Sequence, residues 1–304
     1  MSATPTHTTD RLAHGLLLAH LALIAFATAA MVTILADDFP LWMQGDHSAT
    51  VYALGWTYSG QVYIVLGAGA AFLHSAPRFG WGRAVALFAT AFGVALLSEL
   101  GGTNLGLPFG PYRYTEMLGY RIAGDVPYAI PMSWYYMLYC CLAFCARLLT
   151  ANDSNATKWR WAFVAGMFLT AWDVAMEVQM TNVAPAHWVW ELDRVPAWVP
   201  GWLGAPFFYG MPLSNWIGWL VTGTVVSRLM LAIVPPSAWR ATAAALLPVV
   251  LFATNGIMPI VTTARHGLWG AALLGTLAMG LPLWLVLRAR ARVAVALGAT
   301  PATP

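Results

Sequence analysis

The sequence predicts an all-α, polytopic integral membrane protein: one helical bundle of about eight transmembrane helices with both termini cytoplasmic. Three observations predict it. Of 304 residues, 60% are hydrophobic and 9% charged, against about a quarter charged in an ordinary soluble domain. Apolar stretches of about 20 residues recur along the whole chain, each long enough at about 1.5 Å per residue to cross a hydrocarbon core about 30 Å thick. The basic residues also sort by side, as the loops of a membrane bundle do.

The expected spans lie near 14–36, 51–74, 83–105, 126–149, 161–182, 207–233, 241–264 and 268–288. The first has an apolar stretch longer than the usual signal-peptide core of about 7–15 residues, and only Arg11 flanks it, so it reads as a span. The second and third are joined by a short link carrying Arg78 and Arg83. The fourth carries Cys140, Cys141 and Cys145, whose spacing suits neither a disulfide framework nor a zinc site, so packing is expected. The fifth follows Arg147, Lys158 and Arg160; the sixth ends near Arg228; the seventh follows Arg240; the eighth precedes Arg288, Arg290 and Arg292. With the N-terminus inside, those basic residues all fall on the cytoplasmic side. Arg113, Arg121, Arg194 and Arg265 fall outside with Asp37, Asp38 and Asp46. Both termini inside requires an even number of spans. The tail arginines read as a topology signal, and no nucleic-acid partner is expected. No repeat or linker divides the chain, so residues 1–304 read as a single transmembrane domain.

Two outward connections are long. Residues 104–125 contain Gly-Leu-Pro-Phe-Gly-Pro-Tyr-Arg-Tyr, and residues 183–206 are rich in Trp and Pro. Loops of this length in a compact bundle suggest a lid over a site, or segments anchored in the headgroup layer.

Intramembrane carboxylates are costly and mark cavities, pairs or protonated groups. Glu99 ends the third span, and Asp173 and Glu177 are four apart on the fifth, hence on one helix face. Asn215 and Asn255 add amides on the sixth and seventh. Rise per residue puts all five within about 6–12 Å of the predicted outer face, which predicts one shared layer. Aromatic residues surround it, among them Trp134, Tyr135, Tyr136, Trp172, Trp188, Trp190, Tyr209, Trp216 and Trp219. Rings beside acids suit a polyene or a developing carbocation. The seven His residues are scattered without an i, i+4 pair, so no protein-built metal site is expected.

Glu99-Leu-Gly-Gly-Thr103, Pro108-Phe-Gly-Pro-Tyr112-Arg-Tyr114, Val126-Pro127, Ile130-Pro131 with Trp134, Ala171-Trp-Asp173 with Glu177, and Tyr209-Gly-Met-Pro212-Leu-Ser-Asn215-Trp-Ile-Gly218-Trp219 together resemble the CruF-type carotenoid 1,2-hydratases. The resemblance covers about residues 95–220. It implies a hydro-lyase of the prokaryotic cytoplasmic membrane, and the depth of the acids puts the expected site toward the outer face. The reaction would add water to the terminal C1=C2 bond of a linear ψ-end carotenoid, giving a tertiary alcohol. A carotenoid substrate, surrounding membrane lipids, water as co-substrate and no organic cofactor or metal are implied with it.

Alkene hydration needs a proton donor, stabilisation of a cation and a positioned water. Asp173, the deeper acid, is expected to donate, with Glu177 or Glu99 activating the water and Asn215 holding it. Tyr112, Tyr114, Trp134, Trp172, Tyr209 and Trp219 are expected to line the pocket. Two other classes compete. Asp173-Val-Ala-Met-Glu177 has the look of a magnesium-diphosphate site of an intramembrane prenyltransferase or lyase, with Arg113, Arg121 and Arg194 as candidate phosphate partners. A proton-coupled transporter would use the acids as a relay.

Overall fold

A computed structural model describes residues 5–33 and 45–296. The helices are α1 (Pro5–Thr33), α2 (Asp46–Phe79), α3 (Trp81–Leu105), α4 (Ala129–Leu148), α5 (Asn155–Asn182), a single turn α6 (Gly201–Gly204), α7 (Leu213–Ile233), a single turn α8 (Pro236–Trp239), α9 (Leu247–Arg265) and α10 (Trp269–Ala296). Each long helix coincides with one expected span. Asp37 and Asp38, assigned to an outer acidic cluster, lie outside the described residues, as do the side chains of Arg290 and Arg292.

Among the described residues, seven helices are long and apolar enough to cross a membrane. α2 is not among them: although 34 residues long, it carries Gln61, His74, Ser75 and Arg78, which lower its mean hydropathy. α5 starts six residues earlier than hydropathy suggested, because Ser154 caps it, accepting from the Thr157 amide at 3.2 Å. That polar first turn is helical by capping, which an apolarity scan does not register.

α4 is the axis of the bundle. It packs against α2, α3, α5 and α9, and 89% of its apolar window is buried, against 22% for α1. So α4 faces protein on all sides, and most of α1 faces outward. Cys140, Cys141 and Cys145 are free thiols buried along α4, as the packing expectation required. α5 and α7 form a very close pair. A Cβ on Gly166 would stand 3.0 Å from the Leu220 carbonyl oxygen, and one on Gly223 only 3.2 Å from the Gly166 Cα. Small residues at such a crossing let two backbones touch.

The two long connections are structured and paired. Strand β1 (Tyr112–Tyr114) runs antiparallel to β4 (Trp188–Trp190), with Tyr112 opposite Trp190 and Tyr114 opposite Trp188. Short ladders β2 (Arg121–Ile122) with β3 (Val126–Pro127), and β5 (Pro206–Phe208) with β6 (Met211–Pro212), complete the connections. Side chains alternate along a strand, so Tyr112, Tyr114, Trp188 and Trp190 share the face turned toward the helices. Arg113 and Val189 take the other, and both are exposed.

Candidate active site

Glu99 lies in the last two turns of α3 and is 3% exposed; Asp173 and Glu177 on α5 are 0% and 2% exposed. None of the ion pairs among the described residues involves them. Their oxygens are met by hydrogen-bond donors instead. Trp134 Nε1 donates to Glu99 Oε1 at 2.9 Å, Tyr114 donates to Oε2 at 2.7 Å, and the Tyr112 hydroxyl donates to the same oxygen. Gly102, one turn beyond Glu99, makes room for this: a Cβ there would stand 2.6 Å from the Tyr112 ring. Burial, and then the Glu99 charge, pushes both phenols well above the usual tyrosine range, so they stay neutral donors.

Glu177 is the counterpart of Glu99 under the other strand. Trp190 Nε1 donates to its Oε1 at 2.8 Å and Trp188 Nε1 to the same atom at 3.2 Å. Oε2 receives no donor among the described residues. Each lid strand is thus tied to one buried carboxylate by two aromatic donors. Hydrogen bonds to a charged partner contribute about 1.5–3 kcal/mol each, so the three donors on Glu99 together offset the several kcal/mol of burying it as an anion.

Below the lid lies a cavity of about 30 Å³, room for one or two waters. Glu99, Glu177 and Asn215 supply its polar wall. Tyr112, Tyr114, Trp188 and Trp190 form its roof, and Trp134 and Trp219, stacked at 4.3 Å and 16°, form one side. Phe109, Ile130, Ser133 and Met176 line the rest. Phe109 packs on Trp134 and Trp219 at 6.0 and 6.3 Å.

Three expected positions fall elsewhere. Asp173 does not line the cavity: it sits behind the wall, where Asn215 Nδ2 donates to its Oδ2 at 3.0 Å and its Oδ1 is buried without a partner. Asn215 Nδ2 is thus shared between this acid and Met211 Sδ, at 3.0 Å each, while Asn215 itself lines the cavity. Trp172 turns away, its Nε1 donating at 3.2 Å to the Asn255 carbonyl, and touches the pocket only through an edge contact with Trp219 at 5.8 Å. Tyr209 lies in the β5–β6 turn with φ +51°, is 37% exposed and has its hydroxyl beside Gly270. The left-handed turn swings its ring away from the cavity.

Asn255 does not join this site. It belongs to a separate cluster across α5, accepting from Tyr136 at 2.7 Å and donating to the Leu251 carbonyl at 2.7 Å, with His20 Nε2 at 3.3 Å. Conversely, Trp188 and Trp190 were read only as surrounding rings. Their Trp-x-Trp spacing, matching Tyr112-x-Tyr114, was the available signal: two period-two pairs in facing loops.

Around the carboxylates, O–H and N–H groups occupy the positions where a bound cation would need further oxygen ligands. Among the described residues no three His, Cys, Asp or Glu are grouped to hold one. The arrangement suits proton transfer to a small apolar-walled space with water at hand.

Fold and site together define a polytopic helical bundle with a lidded, ring-walled carboxylate cavity. The chain belongs to the carotenoid biosynthesis protein family, which matches residues 59–282. It is also similar to the bisanhydrobacterioruberin hydratase of Haloarcula japonica, 29% identical over 145 residues, 48% of this chain and 42% of that protein. The chain thus matches less than half the length of that relative. No solved structure matches. The resemblance to CruF-type hydratases read from residues 95–220 is borne out: that stretch lies within the family match.

Proposed function

We propose that the protein hydrates the terminal C1=C2 bond of a linear carotenoid, giving a 1-hydroxy product. The observation that carries this reading is Glu177: it lines a ring-walled, water-sized cavity and keeps Oε2 free, while Glu99 has both oxygens occupied. The hydratase similarity supports the same chemistry.

Glu177 takes the donor role expected of Asp173, because it meets the cavity. Its carboxyl proton passes to C2, and the π electrons of the alkene form the new C–H bond, leaving a tertiary cation at C1. The Trp134–Trp219 stack and the lid rings offer that cation negative ring faces. A water in the cavity forms the C–O bond and gives up a proton to Glu177, directly or through Asp173 one helical turn away. The net change is addition of one water. With three carboxyls and no cation in contact, a shared proton also relieves repulsion within the Asp173–Glu177 pair. Asn215, bonded to Asp173 Oδ2, is the positioning residue of that pair.

A diphosphate-binding reading loses its cations: Arg113 and Arg194 pair with Glu191, and Arg121 pairs with Glu116, all at the lid surface. The bundle is placed in the cytoplasmic membrane with eight spans, α2 included, both termini inside and the lid facing out. The distribution of basic residues supports that orientation. Expression in cells that accumulate lycopene should yield a pigment heavier by one water. Unchanged pigment in cells containing folded protein would refute the reading.

A further inference from the structure

The catalytic cavity, at about 30 Å³, accepts water but not an isoprenoid end with its chain attached. Room for the chain must come through the cavity's mouth or behind a wall that can yield. The roof is held by five hydrogen bonds to Glu99 and Glu177, including that of Trp134 at the side, and Trp134 and Trp219 are locked in a stack. Met176 differs: it is unbranched and flexible, and it adapts its shape at little cost.

Behind Met176 lies a second cavity, about 10 Å³, between α1, α2, α5 and α9. Met176 lines both. α5 thus presents two faces: Asp173 and Glu177 look to the first side, and Trp172, Met176 and Met180 form a stripe at i, i+4, i+8 along the second. Met258 and Ile24 face them from α9 and α1, and the Tyr63 ring comes from α2. The polar groups that α9 brings to this wall are already engaged. Pro259 has no N–H to offer the carbonyl four residues back, and that carbonyl, of Asn255, accepts from Trp172 Nε1. The Asn255 side chain is used by Tyr136 and Leu251, and Thr254 donates to the Val250 carbonyl. A cavity with so few free polar partners stays dry and favours hydrocarbon over water.

We infer that this second cavity, opened by displacement of Met176, is the subsite for the conjugated hydrocarbon chain whose end reacts in the first cavity. The inference rests on the hydratase reading. The three methionines part around the chain, and the Trp172 and Tyr63 rings flank it.

The test compares two substrates of the full-length protein in liposomes: a linear C40 polyene, lycopene, and a C10 acyclic alkene with the same terminal dimethyl-alkene group. Met258→Trp fills the second cavity from α9, and Ile24→Trp fills it from α1. In each variant the ratio of kcat/KM for the C40 to the C10 substrate should fall by about tenfold or more, mainly through KM. A ratio unchanged in both variants would overturn the inference, including the case where both substrates suffer equally. Wild-type protein that hydrates neither substrate overturns the hydratase reading itself, and that outcome is distinct from an unchanged ratio.

Discussion

Two buried polar clusters flank α5, and they differ in how completely they are satisfied. On one side Tyr136, Asn255 and His20 form a chain in which each group has a partner: the Tyr136 hydroxyl donates to Asn255 Oδ1, the Asn255 amide faces His20 Nε2, and His20 Nδ1 meets the Tyr63 carbonyl at 2.7 Å. This ties α4, α9, α1 and α2 together. On the other side Glu99 and Glu177 meet the lid while Asp173 sits behind the wall on Asn215, with Asp173 Oδ1 and Glu177 Oε2 left without donors. A network that closes on itself holds helices together; one left short of donors is poised to exchange protons.

The largest effect should come from the unfinished side. Glu177→Gln keeps shape and removes the proton, so hydration should fall by roughly 10²–10⁴-fold with normal folding; a fully active variant would refute the assignment. Asp173→Asn should also lose most turnover, since the pair works as one unit. Glu99→Gln should act differently. With its charge gone the Tyr112 and Tyr114 donors weaken, and amide hydrogen exchange in 112–114 and 188–190 should accelerate while α4 stays protected. Turnover should drop by about tenfold. Equal exchange in variant and wild type would separate Glu99 from the lid.

On the closed side, Tyr136→Phe leaves the Asn255 acceptor short of a donor. It should cost about 1–3 kcal/mol of stability while activity per folded molecule stays at the wild-type level; a selective loss of turnover would erase the contrast between the clusters. The smallest effect concerns His187, just before β4. Burial holds its imidazole down at about 4, against 6.5 in the unfolded chain. The folded lid therefore favours the neutral ring. The stability this gives is complete above pH 6.5 and is lost as pH falls toward 4. Exchange at 188–190 should rise over that window, and His187→Phe should flatten the rise.

The fold was legible because hydropathy and basic residues report directly on a bilayer, and each long helix matches an expected span. α2 was harder, since Gln61 and His74 dilute its apolarity. The convergence of Glu99, Glu177 and Asn215 followed from depth along the helices. Depth alone, however, carries no azimuth. Asn255 shares the level but lies beyond α5, and Trp172, one residue from Asp173, looks the opposite way. Tyr209 was misplaced because a positive φ in a tight turn is not visible in residue types flanking a motif. The lid was legible as length and composition, while the pairing of Tyr112 with Trp190 depends on two loops more than 70 residues apart meeting in register.

Where Gly166 and Gly223 bring α5 and α7 together, backbone atoms themselves close the contact, and backbone cannot swing aside as a rotamer can. That seam behaves as a keel. On the proposed reading, any breathing that admits a long pigment is pushed to the other flank of α5, where Ile24 of α1 and Met258 of α9 face it. Bilayer thickness and lateral pressure, acting on that soft flank, would then tune how readily the protein loads its substrate.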